Sequence, residues 1–480
     1  MEINTTSSPL DDIECDGVII WTYEDQNSSI LDKFGDSFSK YFESANFQGK
    51  KNQQFTLFNV DIIKAPKIIV IGLGKKDDAN SEIVRNSVGN AVRELQKLKS
   101  IHIAVNAVNN DAQATSEGVL LSLYVFDELK SQKEDATKIE KITFTGDEVE
   151  IIDWQNGTII SKGQNIARRL AELPANIGTP TYFVDHTKTI LKDVNNITVI
   201  SRDEEWAKQK KMNAYLSVTA GTDEPAKFME IHYKGGQEGE KPIVFVGKGI
   251  TFDTGGISIK PSTGMGLMRA DCTGAASVIG VLFAVSKLGL KKNVIGLTPL
   301  TENMPSGKAT KPSDVVFASN GKSIEIDNTD AEGRLVLSDG LVYAETFNPE
   351  TVIDIATLTG AMMRALGEAY TGAFTRSDEL WAELETAGIT THERFWRMPL
   401  DKVYKKKLKS NLADLKNVGG VFGGASIAAM FLGEFIELKR WAHLDIAGSM
   451  ANMKRAGYKP EGIPGIPVRA LIQFVRDSVN

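Results

Sequence analysis

The sequence predicts an α/β protein of two domains. A smaller N-terminal α/β domain carries a mostly parallel sheet, and a larger C-terminal α/β domain carries a central mixed sheet flanked by helices. Three observations point there. The chain has 480 residues, too many for one ordinary core. Short β-branched runs alternate with helically spaced apolar residues, the pattern of strands joined by helical crossovers. Charge is also divided unevenly: residues 1–160 hold 16 Lys/Arg against 26 Asp/Glu, a net of −10, and residues 161–480 hold 39 against 36, a net of +3. The expected boundaries are 1–153 for the first domain, 154–175 for a linking helix and 176–480 for the second.

In the first domain, 17–22, 54–60, 67–72 and 101–106 read as strands, and 81–98 and 112–129 have apolar residues at helical spacing. A last strand at 141–145 precedes an acidic stretch, 146–150, after which 154–173 reads as a long helix. In the second domain the expected strands are 198–201, 227–232, 242–246, 293–297, 323–326 and 351–356, and the expected helices are 271–288, 332–347 and 426–437. There is no repeat of 20–50 residues and no low-complexity tract.

Composition narrows the function. With 42% apolar and 24% charged residues, 42 Gly and 15 Pro, the chain is ordinary globular material. Its net charge of −7 argues against a general polyanion binder, so nucleic acid is not an expected partner. The acidic start, Met1-Glu2-Ile3 with Asp11, Asp12, Glu14 and Asp16, fits neither a signal peptide nor a mitochondrial presequence. The longest apolar run, within Ala275–Val285, is about half of what spans a bilayer. No membrane partner and a cytoplasmic location are therefore expected. Two cysteines, Cys15 and Cys272, make a poor disulfide framework and suggest a reducing compartment. The five histidines (His102, His186, His232, His392, His443) lie far apart, which excludes short-spaced His/Cys zinc motifs. Any metal would need oxygen ligands.

Several motifs fail on inspection. Ile71-Gly72-Leu73-Gly74 follows a strand, but Asp77 stands where a dinucleotide loop needs its third glycine, so it reads as a plain strand-to-helix turn. There is no G-x-x-x-x-G-K-[ST] and no G-x-S-x-G. Asp327–Gly333 has Thr329 and Ala331 where a calcium loop needs ligands. Lys405-Lys406-Lys407 with Lys402 and Lys409 reads as a solvated basic face. Gly419-Gly420-Val421-Phe422-Gly423-Gly424 reads as a tight loop against a crowded site.

Three segments survive. Val246–Pro261 runs from a strand into a glycine-rich loop with Lys248, Asp253 and Lys260. Met268–Ser277 places Asp271 at the start of an apolar helix of small residues. Ile326–Leu335 carries Asp330, Glu332 and Arg334. Strand ends and helix starts are where α/β proteins build their sites. Each residue has a blander role when taken alone. Asp271 is a good helix cap, Asp330 and Glu332 suit a helix N-terminus, and lysines are usually exposed. In an extended segment Asp330 and Glu332, two apart, would point the same way. Clustered, Asp253, Asp271, Asp330 and Glu332 would bring four negative charges, which two divalent ions would cancel. Two metals bridged by carboxylates suit hydrolysis, by activating water and polarising a carbonyl or phosphoryl group. Lys248 could be a ligand only when neutral, leaving Lys260 and Arg334 as cations for charge that appears during reaction. The residues by themselves thus give a two-metal hydrolase of undetermined substrate.

At these residues the sequence closely resembles the leucyl aminopeptidase family, the cytosolic two-zinc metallopeptidases. Asn328-Thr-Asp-Ala-Glu-Gly-Arg-Leu335 matches the family octapeptide in full, and Val246–Lys260, Asp271 and Thr357-Leu358-Thr359-Gly360 match in order and spacing. The resemblance covers 160–480, with an N-terminal domain of the expected size. It implies that the 176–480 domain is the catalytic metallopeptidase domain. The activity implied is removal of the N-terminal residue, Leu or another apolar one, from short peptides, with a metal-bridging water as nucleophile. Lys248, Asp253, Asp271 and Glu332 would hold a tight metal. Asp253, Asp330 and Glu332 would hold an exchangeable one, helped by the Asp330 carbonyl. Zn2+ is implied, with Mn2+ or Mg2+ possible at the exchangeable site. Lys260, with the backbone at Leu358, would steady the tetrahedral intermediate, and Arg334 would hold a bicarbonate that relays a proton. Met268, Thr357 and Gly360 would line the pocket for the first side chain. A homohexamer, a dimer of trimers, is also implied. Thr254 stands where Ser is common, and Cys272-Thr273 replace a usual Met-Gly pair; neither change removes a ligand. Rival readings fare worse. A structural relative would show substitutions at the site positions, a DNA-binding one would be basic, and a two-metal phosphoesterase would lack the octapeptide.

Overall fold

The computed structural model describes residues 1–27, 29–32, 37–132 and 138–479. Chain contacts divide these into two units: Met1–Lys162 with Met453–Glu461, and Gly163–Asn452 with Gly462–Asn480.

The first unit is built on a six-stranded sheet in the order Glu2–Thr6, Lys141–Thr145, His102–Asn106, Gly17–Thr22, Lys67–Gly72, Gln54–Phe58. Every pairing is parallel except that of the edge strand Gln54–Phe58. Parallel strands are covered on both faces, which is why Ile68, Ile69, Val70 and Ile71 form an unbroken buried run rather than an alternating one. Helix Ser81–Lys97 packs against this sheet, and Asn80 caps it by accepting from the Glu82 and Ile83 N–H groups. The helix expected over 112–129 stops at Ser122. Beyond that point Val125 and Leu129 are exposed, so the apolar period continues without a surface to bury it. Edge strand Glu2–Thr6 had no sequence signal because Ile3 is its single apolar residue and none of its residues is buried.

The helix expected over 154–173 begins earlier and spans Glu148–Glu172, and the division between units falls inside it. The acidic stretch before it is its N-terminus. Asp147 accepts from the Val149 and Glu150 N–H groups, and Glu150 accepts from the Asp147 N–H, a reciprocal capping box.

The second unit has a nine-stranded mixed sheet. Trp441–Asp445, Thr351–Ala356, Ile243–Gly247 and Asn293–Asn303 form its parallel centre, and Gly249–Asp253 pairs with the far end of Asn293–Asn303. Lys227–Lys234, Ile197–Arg202 and Thr371–Thr375 join antiparallel. Asn293–Asn303 runs six residues past the expected 293–297. Helix Thr273–Lys287 lies in the core, with every residue from Thr273 to Ser286 buried. The stretch Met265–Lys287 has the length and apolar composition of a membrane span, yet 89% of that apolar window is buried inside the fold. Gly274 lets it approach the sheet: a Cβ there would come 2.1 Å from the Ile355 carbonyl oxygen. A small sheet of Asp314–Phe317, Ser323–Ile326 and Leu415–Lys416 completes the unit. Both cysteines are free thiols.

Candidate active site

The parallel strands of the second unit all end on one side, and the candidate residues follow from their carboxyl ends, where open α/β sheets place ligands. Lys248 follows Ile243–Gly247, Asp253 closes Gly249–Asp253, and Thr357–Gly360 follow Thr351–Ala356. Asn303 ends its strand and Asp445 ends Trp441–Asp445. All eleven residues singled out in the sequence line one cavity of about 310 Å³: Lys248, Asp253, Lys260, Met268, Asp271, Asp330, Glu332, Arg334, Thr357, Leu358 and Gly360.

Asp253, Asp330 and Glu332 each present an oxygen within 4.8 Å of the others. Asp271 reaches this trio through Lys248, whose Nζ lies 2.8 Å from both Asp271 Oδ2 and Glu332 Oε1 and donates to the Thr357 carbonyl at 3.0 Å. Gly333 makes room for that lysine, since a Cβ there would lie 2.6 Å from Lys248 Cε. Lys260 Nζ pairs with Asp253 Oδ2 at 2.8 Å and with Asp330 Oδ1.

Burial would strip the proton from Lys248, but Asp271, Glu332 and Asp253 outweigh it and raise its pKa. Lys260 is raised for the same reason, burial opposing and Asp253 and Glu332 prevailing. Burial raises Asp271, Glu332 and Asp330 in turn, and neighbouring carboxylates add to it. Arg334 is lowered to about 10 by burial, against the pull of Glu332, Asp445 and Asp330. Four carboxylates lining one cavity with two lysines between them form a donor set for hard cations. Glu332 Oε2 is buried and has no hydrogen-bond partner, a free oxygen aimed into that set. The residues therefore fit divalent metal ions.

Two simpler expectations are corrected. Asp271 is no helix cap: Thr273–Lys287 follows a 3-10 turn, its N-cap is Cys272, and Asp271 Oδ1 accepts from Thr357 Oγ1 at 2.7 Å instead. Asp330 and Glu332 do not converge by extension either. The strand ends at Ile326, the chain turns at Asn328 through the Asp330 N–H to Asn328 Oδ1 bond, and Glu332 is already helical.

Sequence reasoning missed the residues that hold these ligands. Asn303 donates to Asp253 Oδ1 and to the Thr329 carbonyl. Thr329 Oγ1 donates to the Gly255 carbonyl and accepts from the Ser258 N–H, stitching the two ligand loops together. Asn417 accepts from the Asp327 and Asn328 N–H groups and donates to the Asn328 carbonyl, while its own carbonyl takes Arg334 Nη1. Asp445 Oδ1 accepts from the Leu358 and Thr359 N–H groups, and Oδ2 from Thr359 Oγ1. Cys272 is buried, its thiol pushed up to about 12 by burial, so it is inert beside Asp271.

Residues 165–472 match the catalytic domain of the cytosol aminopeptidase family, and residues 22–133 match its N-terminal domain. The chain belongs to the cytosol aminopeptidase family. It is a metal-dependent aminopeptidase, a hydrolase. The cytosol aminopeptidase of Dictyostelium discoideum is 43% identical over 96% of this chain and 93% of its own length. The human cytosol aminopeptidase is 44% identical over 96% of this chain and 92% of its own. Among solved structures, a mutant of tomato leucine aminopeptidase superposes with a TM-score of 0.87 at 31% identity, covering 99% of this chain and 96% of the other. The bottromycin maturation enzyme BotP in complex with Mn superposes at 0.86 and 29% identity, covering 97% and 100%. Peptides are thus the substrate class.

Proposed function

We propose that this aminopeptidase releases Leu and other apolar N-terminal residues from short peptides, using two divalent ions. Lys248, Asp253, Asp271 and Glu332 would hold one ion, and Asp253, Asp330 and Glu332 the other. Zn2+ is the proposed native metal, with Mn2+ or Mg2+ able to occupy the second position. Such ions supply Lewis acidity toward a carbonyl and a nucleophilic water at neutral pH. The observation that carries the reading is the Asp253–Asp330–Glu332 trio within 4.8 Å, with Lys260 alongside. To act as a ligand Lys248 must shed its proton, and divalent ions would compete with that ammonium for the same carboxylates.

The chain's own cations supply the rest. Lys260 is a compact positive charge at the mouth of the trio, placed to stabilise negative charge developing on the carbonyl oxygen. Arg334 Nε is buried without a partner, a donor that an anion such as bicarbonate would satisfy while it relays a proton. Met268, Thr357, Leu358 and Gly360 would border the first side chain and the reacting carbonyl. The family resemblance further supports a homohexamer built as a dimer of trimers, a cytoplasmic location and the domain limits 1–153, 154–175 and 176–480.

The test is hydrolysis of leucine p-nitroanilide before and after chelation, with Zn2+ or Mn2+ restored. Activity should vanish with the metal and return with it. Full turnover by the chelated enzyme would overturn the reading.

A further inference from the structure

A second cavity is larger than the catalytic one. It has a volume of about 1180 Å³, belongs to the same unit, and shares no lining residue with the active site. Lys322, Arg376, Lys402, Lys405, Lys406 and Lys409 line it, against only Asp414 and Glu434. Both acids are already committed. Glu434 holds Lys322 at 2.9 Å and Lys405 at 2.7 Å, and Asp414 accepts from the Ser323 N–H and hydroxyl. Arg376 is spent on the Ile436 and Gly433 carbonyls and on the face of Trp441.

Three lysines remain. Lys402, Lys406 and Lys409 have no acidic partner among the described residues. Lys402 opens a helical turn, Lys402–Lys405, Lys406 opens the 3-10 turn Lys406–Leu408 that continues it, and Lys409 follows on extended backbone. All three line the same cavity, where like charges repel one another. Leu408, buried in the same cavity beside them, anchors the segment. The basic run is the solvated face read in the sequence, its lysines all exposed, and it forms one wall of a concavity. Its floor is apolar, built of Leu400, Leu408, Leu415 and Met430.

We infer that this cavity binds a small phosphorylated molecule with an apolar or aromatic body, its phosphates on Lys402, Lys406 and Lys409 and its body on the leucine floor. Uncommitted charge of one sign in a concave site concentrates the opposite ion. The free cations are lysines, point charges suited to phosphate, whereas the one arginine that could grip a planar carboxylate in bidentate fashion is already engaged.

The probes are ADP, inorganic pyrophosphate and adenosine, titrated calorimetrically into the metal-loaded, full-length enzyme. ADP should bind, pyrophosphate more weakly, and adenosine not measurably. The Lys402→Glu/Lys406→Glu/Lys409→Glu variant should lose at least tenfold in ADP affinity while keeping leucine p-nitroanilide turnover. Should that variant misfold, Lys406→Ala/Lys409→Ala should still lose affinity severalfold. Absence of ADP binding to the wild type would overturn the proposal. Equal binding by the variants would also overturn it, since ADP would then be chelating the catalytic metals. A change of assembled mass in the variant with ADP binding unmoved would make the cavity a contact between copies instead.

Discussion

Asn303 donates its side-chain amide to Asp253 Oδ1 at 2.8 Å and to the Thr329 carbonyl at 3.1 Å. One buried amide thus fixes the orientation of the Asp253 carboxylate and ties it to the loop that carries Asp330 and Glu332. Its own backbone carbonyl accepts from the Thr254 N–H and hydroxyl, so the amide has little freedom to turn. Groups that orient metal ligands typically cost 10- to 100-fold in affinity or activity when removed. Asn303→Ala should retain its fold by circular dichroism and show a loss of about that size in metal affinity, measured by competition with a chelator.

Lys260 and Glu332 separate two roles. Lys260→Ala removes the cation placed to meet developing charge but leaves every carboxylate, so kcat should fall by about 10²–10³ with metal content unchanged by elemental analysis. Glu332→Gln removes one of the four negative charges and weakens its oxygen as a ligand. That variant should lose metal content together with activity, and excess Mn2+ should restore part of it. Equal metal loss in both variants would merge the roles.

Asp445 bears on the pocket wall rather than on the metals. It takes the Leu358 and Thr359 N–H groups and the Thr359 hydroxyl, and so shapes the turn that carries Thr357, Leu358 and Gly360. Asp445→Ala leaves four donors without their acceptor, the Leu358, Thr359 and Ala447 N–H groups and the Thr359 hydroxyl. Because the substrate would lie against that turn, KM for leucine p-nitroanilide should rise together with a fall in kcat, while metal content stays constant. A change in metal content alone would argue against this role.

These residues also mark how far the sequence reached. Lys248, Asp253, Asp271, Asp330 and Glu332 were legible because carboxylates and lysines in glycine-rich or apolar settings are expensive to bury, and so point to a site. Asn303, Asn417 and Asp445 were not. Each is an ordinary polar residue 50 or more positions from a site residue it holds, Asn303 from Asp253, Asn417 from Asp327 and Asp445 from Leu358, and is brought near by parallel pairing of strands distant in sequence. The sequence located Gly17–Thr22, Lys67–Gly72, Lys141–Thr145 and Thr351–Ala356 to the residue, because β-branched and aromatic residues dominate each of them. It stopped short on Asn293–Asn303, where Thr298 and Pro299 interrupt the apolar run although both are buried in the sheet. The turn at Asn328 depends on a side-chain bond to a backbone N–H, which strand alternation does not encode.

The capping box at the start of Glu148–Glu172 gives a prediction away from the site. Asp147→Ala removes the acceptor of two N–H groups and should cost about 1 kcal/mol. Hydrogen exchange at Val149 and Glu150 should speed up, while leucine p-nitroanilide turnover stays at the wild-type level.

Asp339 sets a pH dependence of stability. It lies fully buried in helix Gly333–Glu345, and burial raises its pKa to about 6. The Tyr215 and Ser319 N–H groups and the Ser319 hydroxyl oppose that rise by donating to it. The unfolded chain loses this proton near pH 4. Between about pH 4 and 6 the folded chain holds a proton that the unfolded one has released, so stability falls as pH rises through that window and is level above it. A rise of that size corresponds to roughly 3 kcal/mol. Asp339→Asn cannot titrate. It carries a constant penalty because one amide nitrogen replaces an accepting oxygen, but the gap to wild type should narrow as pH increases from about 4 to 6. Thermal midpoints of both proteins across that range measure it, and parallel curves would show that Asp339 stays ionised in the fold.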